Sequence, residues 1–185
     1  MVGRTMSAHI EQFRRFARYN TRFNEQLFDV IEGLDGDERR RDRGAFFGSI
    51  TKTLNHNLLA DRIWLARFRA VGIGAVALAV AELIDVGAGV ALSDELFVDW
   101  AELRRQRRAT DAVLEAFVGA LDDDVVAGTM RYTIRSGATR EHAVWIAVAH
   151  LFNHQTHHRG QVTTLVSQAG LDPGTTDFLV FALAD

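Results

Sequence analysis

Apolar residues return at intervals of three and four along long stretches of this chain, the spacing that gathers them on one face of a helix. The first stretch predicts a helix over 9–32, with Phe13, Phe16, Phe23, Leu27 and Ile31 on its buried side and Gly33 as its stop. Asn20 and Asn24 fall on or beside that face and are expected to be hydrogen-bonded core amides rather than pocket lining. The charged stretch 35–43 is expected to be a solvated connection. A second helix is predicted over 46–70 with two stripes, one of Leu54, Leu58, Leu65 and Phe68, the other of Ser49, Thr53, His56, Ala60 and Ile63. A helix apolar on two sides must be covered on two sides, so the bundle could cover one and a second subunit the other.

Residues 71–92 are rich in Gly, Ala and Val without a clear period and predict a long crossover with a helical turn inside. A third helix is expected from the cap Ser93, with Asp94 and Glu95 in its first turn, to about Leu121. Between Gly128 and Arg140 the residues alternate with period two and then reach Ser136-Gly137, which predicts a small β-hairpin. A fourth helix is predicted over 141–169, ended by Gly170, followed by a turn at Asp172-Pro173-Gly174 and a short helix over 175–183. The only proline is Pro173, so nothing interrupts the long helical stretches. Four long helices in 185 residues make an all-α four-helix bundle, one domain over 1–185.

Composition narrows the chemistry. A net charge of −3 argues against broad nucleic-acid binding. The absence of cysteine leaves His, Asp, Glu, Asn and Gln as the available ligands. The segment 1–8 lacks the apolar run of a signal peptide, and the apolar run 71–80 is too short and glycine-broken to span a membrane. A cytoplasmic protein is the expectation.

The chemistry concentrates in the fourth helix, which reads His150-Leu-Phe-Asn-His154-Gln-Thr-His157-His158-Arg159-Gly-Gln161. His150, His154 and His158 follow a four-residue step and therefore share one face. His154 and His158 lie in a stripe with Ala147, Leu151, Val162 and Leu165, so they point inward and need partners. A divalent metal would supply them, and His56 is the one histidine in the middle of another long helix, on a stripe of small residues. Hydrogen-bonded core histidines are the competing reading, and spacing alone favours the metal only slightly. His157 is expected to turn outward, His150 to stand behind the site or act as a fourth group, and His9 and His142 to face solvent. Arg159 could bind a carboxylate ligand or pair with an acid such as Asp61; the structural pairing is the stronger expectation. Three neutral imidazoles leave an ion's double charge uncompensated, which favours an open position able to activate water or a thiol.

Together, Tyr19-Asn20, Leu54-Asn55-His56, Asp61-Arg62-Ile63-Trp64, the histidine run and the Asp172-Pro173 turn make the chain resemble the DinB family of metal-binding four-helix bundles. The resemblance covers essentially the whole chain. It implies an up-down-down-up order with a long crossover between the second and third helices, and a metal triad of His56, His154 and His158. It implies a homodimer with zinc or nickel bound. It also implies kinship with bacillithiol transferases and mycothiol-dependent isomerases, hence a low-molecular-weight thiol as a candidate cofactor. The expected function is a metal-dependent hydrolase or thiol S-transferase acting on small electrophiles. The alternative is a non-catalytic stress-response protein with a structural or sensory metal. No nucleic-acid or membrane partner is expected.

Overall fold

A computed structural model describes residues 7–79, 82–87, 89–134 and 136–184. The reading of the segment 1–8 therefore lies almost wholly outside the described residues, as does the place of Arg135 in the hairpin. The elements are α1 (Ala8–Ile31), α2 (Gly36–Arg40), α3 (Ile50–Ala70), α4 (Ala75–Leu78), a 3-10 turn (Glu82–Ile84), α5 (Trp100–Gly119), α6 (Asp123–Ala127), β1 (Thr129–Thr133), β2 (Thr139–Ala143), α7 (Val144–Gln168) and α8 (Phe178–Ala184). The bundle is made by α1, α3, α5 and α7.

Pairs across the interfaces set the directions of these helices. Arg14 near the start of α1 reaches the Gly119 carbonyl at the end of α5, whereas Glu32 beyond the end of α1 accepts from Trp100 at the start of α5. Those helices are antiparallel. So are α3 and α7, since His56 meets His158 while Trp64 meets His150. Asn55 with Phe97 and Asp61 with Arg107 run α3 parallel to what precedes and forms α5, and Phe13 with Phe152 and Asn20 with Arg159 run α1 parallel to α7. The order is up, down, down, up, as the family resemblance implied.

Several boundaries move for identifiable reasons. The second long helix begins at Ile50 and not at Phe46, because Gly44 and Gly48 take positive φ (74° and 82°) in a closed loop and Ser49 caps the helix by accepting from the Lys52 amide. Phe46 and Phe47 therefore sit on a loop. The connection 35–43 contains the short helix α2, which buries none of its residues and is capped by Asp35. The third long helix starts at Trp100, capped by Asp99, and not at Ser93. Asn55 of α3 holds the segment before it, donating to the Phe97 carbonyl at 3.0 Å and accepting from the Phe97 amide at 2.9 Å. That buried clamp outweighs the local capping signal at Ser93, and Asp94 instead closes a turn on the Ala91 amide. The hairpin is present, with Thr129 opposite Ala143 and Thr133 opposite Thr139. Its second strand takes the residues 141–143 that periodicity had given to the last long helix. Inside the crossover, α4 and the 3-10 turn are the expected helical structure.

The core is in two apolar clusters. One gathers Phe13, Leu65, Phe68, Leu114, Phe117 and Leu151, the other Phe23, Leu27, Leu54, Leu58, Leu103 and Leu165. Burying each such side chain contributes about 1.5–3 kcal/mol. Between them lies a polar layer. Arg107 holds Asp61 at 2.5 Å and Asp111 at 2.7 Å, and Asp111 accepts from Asn20 at 2.7 Å and from Asn24 at 3.1 Å. Asn20 and Asn24 are thus the satisfied core amides that their position in α1 suggested. Both stripes of α3 are buried within one chain, apart from Ile63, which is half-buried.

Candidate metal centre

The antiparallel packing of α3 on α7 brings His56, His154 and His158 together at the edge of the second apolar cluster. Their ligand atoms all lie within 4.8 Å of one another. The Nε2 atom of His154 is 3.4 Å from that of His56 and 3.1 Å from that of His158. The ring centroids of His56 and His158 are 4.5 Å apart.

The protonation of the rings follows from what their other nitrogens touch. His56 Nδ1 donates to the Leu92 carbonyl at 2.7 Å, and His158 Nδ1 donates to Gln161 Oε1 at 2.8 Å. In the neutral imidazole each then presents a bare lone pair at Nε2, aimed at His154. His154 Nε2 carries one proton at most and can satisfy only one of them. With that proton, one of the two facing lone pairs is left without a donor; without it, three lone pairs converge, and a cation between the rings would answer them all. Tetrahedral ligands about 2.0–2.1 Å from a zinc ion are about 3.3 Å apart, close to the spacings here. The three residues fit a divalent metal ion.

Electrostatics agrees. Burial, then the neighbouring histidines, push the His154 pKa down to about 3, and burial lowers those of His56 and His158. All three rings are neutral near pH 7, the form in which imidazole ligates. No carboxylate belongs to the triad, so an ion held there would keep its full charge.

Around the triad, Phe47 stacks on His56 with centroids 4.0 Å apart and closes one side. Beside the triad opens a cavity of about 840 Å³, reached by His56, His154 and His150 and walled by Ile63, Trp64, Ile84 and Leu92. His150 lies one turn before His154, its ring 5.9 Å from that ring and 5.1 Å from the Trp64 indole. It stands beside the triad rather than in it. His157 is exposed, as expected, and accepts from the Gln161 amide.

Arg159 corrects an expectation. It pairs not with Asp61, which Arg107 takes, but with the Asn20 carbonyl oxygen, and it lies across the faces of Tyr19 and Phe23. Nor do His9 and His142 simply face solvent: His9 is exposed but stacks between Phe13 and Trp145, and His142 is half-buried on β2 against Tyr132. Phe47, Leu92 and Gln161 also support the site, none of them expected from the sequence. Gln161 had a signal, being three residues after His158 on the same helix face. Leu92 acts through its backbone carbonyl and had none.

This bundle, with three converging imidazoles on its second and fourth long helices, is of the DinB type. Residues 6–184 match the DinB family, and the chain belongs to it. Among individual proteins it is similar to the Protein DinB of Bacillus subtilis (strain 168), at 25% identity over 167 residues covering 86% of this chain and 87% of that protein. Among the described residues, no helix is long and apolar enough to cross a membrane.

Proposed function

We propose that the protein is a divalent-metal-dependent enzyme, a hydrolase or thiol S-transferase acting on small electrophiles, with His56, His154 and His158 as ligands of zinc or nickel. The observation that carries this reading is the frustrated trio of Nε2 atoms at the mouth of a cavity large enough for a small-molecule substrate. A divalent ion at such a site supplies Lewis acidity, lowering the pKa of a water or thiol to near neutrality.

The chain's own groups do the rest. The Leu92 carbonyl and Gln161 hold the His56 and His158 rings in the ligating tautomer. Phe47 excludes water from one side, and the apolar walls of the cavity exclude it from around the substrate. His150, whose pKa burial lowers, is neutral and placed to take a proton from the nucleophile. A cytoplasmic homodimer belongs to this reading. Phe46, 85% exposed on the loop beside Phe47, suits a surface covered by another subunit.

A second reading, a stress-response protein with a sensory metal, draws on a specific contact. Because His56 bonds the crossover at Leu92, loading the triad would also order that segment. Activity separates the two. Metal-loaded protein assayed against a panel of electrophiles with low-molecular-weight thiols or water should show turnover that His154→Ala abolishes. Absence of turnover, with crossover protection from hydrogen exchange that depends on metal, would favour the sensor.

A further inference from the structure

The cavity beside the triad continues along α3 well past the histidines. It is lined on that helix by His56, Ala60, Ile63, Trp64 and Arg67. His56 and Arg67 are eleven positions apart, about 16 Å along the helix axis. The cavity thus has the His56 and His154 imidazoles toward one end and the Arg67 guanidinium toward the other, with Ile63 and Trp64 between them and His150 beside Trp64.

Arg67 differs from most of its kind in this chain. Arg69 is paired with Asp85, Arg104 and Arg108 with Glu25, and Arg107 with Asp61 and Asp111. Among the described residues Arg67 makes no hydrogen bond and no ion pair. Its guanidinium instead lies 4.7 Å over the Trp64 ring and 5.2 Å from the Tyr132 ring. Asp85, the acid that lines the same cavity, is occupied by Arg69. Stacking on rings uses the faces of a guanidinium and leaves its in-plane N–H groups free, and those are the groups that grip a carboxylate with two parallel bonds. Arg67 is also half-buried, and burial lowers its pKa, so the lone charge carries a desolvation cost that an anion would offset.

We propose that Arg67 is the anion-recognising residue of this cavity, and that its ligand is an elongated molecule with an apolar middle, a carboxylate at the Arg67 end and its metal-seeking or reacting group at the histidine end. The inference rests on the proposed metal centre for the second half of that description, and on Arg67 and the cavity alone for the first.

The probes are ω-carboxyalkyl hydroxamates of increasing chain length and their methyl esters, titrated calorimetrically into zinc-loaded protein. The acid of matching length should bind about ten- to a hundredfold tighter than its ester, the range for a charge-assisted bidentate pair. Arg67→Leu should remove that difference and leave acetohydroxamate binding unchanged, while Arg67→Lys should restore part of it. Circular dichroism confirms that each variant is folded. Equal affinities for acid and ester in the wild type, or equal losses of both in Arg67→Leu, would overturn the proposal. Should the protein take up no zinc, the metal reading fails by itself, and octanoate titrated into metal-free protein decides the Arg67 half. Binding lost in Arg67→Leu supports that half, and no binding, or binding indifferent to the substitution, overturns it.

Discussion

Two polar clusters sit side by side in this bundle, meeting at His158 and Arg159 on α7, and they are satisfied in different ways. In the central layer, Asp61, Arg107, Asp111, Asn20 and Arg159 answer one another, carboxylate to guanidinium and amide oxygen to guanidinium. In the histidine cluster, every outer nitrogen with a partner donates to a fixed oxygen, and the inner nitrogens of three rings meet with fewer protons than lone pairs. In the first cluster each carboxylate has its guanidinium within the chain, and only the Nε atoms of Arg107 and Arg159 are left without a partner. The second leaves lone pairs converging on a point where a metal ion could be held. Buried polar groups that satisfy each other read as architecture, and buried polar groups left converging on a point read as a site.

The difference can be broken from either side. The largest effect should come from the central layer. Arg107→Leu leaves Asp61 and Asp111 buried without their shared cation, a loss of about 3–5 kcal/mol, visible as a large fall in the urea midpoint. Stability unchanged by that substitution would mean that the layer is not the structural half of the pair. Next comes the metal. Chelation of loaded protein should lower stability by about 2.7 kcal/mol relative to protein held at a hundredfold excess of ion over its dissociation constant. His154→Ala should be folded and insensitive to chelator, and a variant that still responds would place the ion elsewhere. Gln161→Leu, which removes the acceptor for His158 Nδ1, should weaken metal affinity about ten- to a hundredfold while leaving the fold intact. Competitive titration with a chromophoric chelator measures it.

The smallest effect is on pH. Burial and neighbouring rings depress the His154 pKa to about 3, and burial depresses those of His56 and His158. The unfolded chain, with histidines near about 6.5, therefore binds more protons than the folded one below that value. Stability of metal-free protein is full above about pH 6.5 and declines as pH falls, and it should decline less in His154→Ala. Urea midpoints at about pH 7 and about pH 5 compare the two; equal slopes would mean that His154 is not held neutral by its surroundings.

Much of this contrast was written locally in the chain. The four-residue step of His154 and His158 within an apolar stripe, and His56 on a face of small residues, predicted which imidazoles would point inward. The long helices were equally legible, because each carries its own period. What the chain did not show locally was decided by distant partners. Ser93 carries a helix-start signal, yet Asn55 clamps Phe97 and delays the helix to Trp100. Asp61 looked free for Arg159, yet Arg107, from a different helix, takes it first. Leu92 supports His56 through a carbonyl, which every residue has and no pattern marks. Phe47 was read as helical, and only the two positive-φ glycines around it place it over the site.

The central claim is that the histidine cluster is built to be completed by an ion. Its most direct test is elemental analysis of protein purified without a nickel column, dialysed against zinc or nickel and then against metal-free buffer, alongside His154→Ala. A single divalent ion should be retained per wild-type chain and none in the variant. Wild-type protein that emerges folded and metal-free from both dialyses would contradict it.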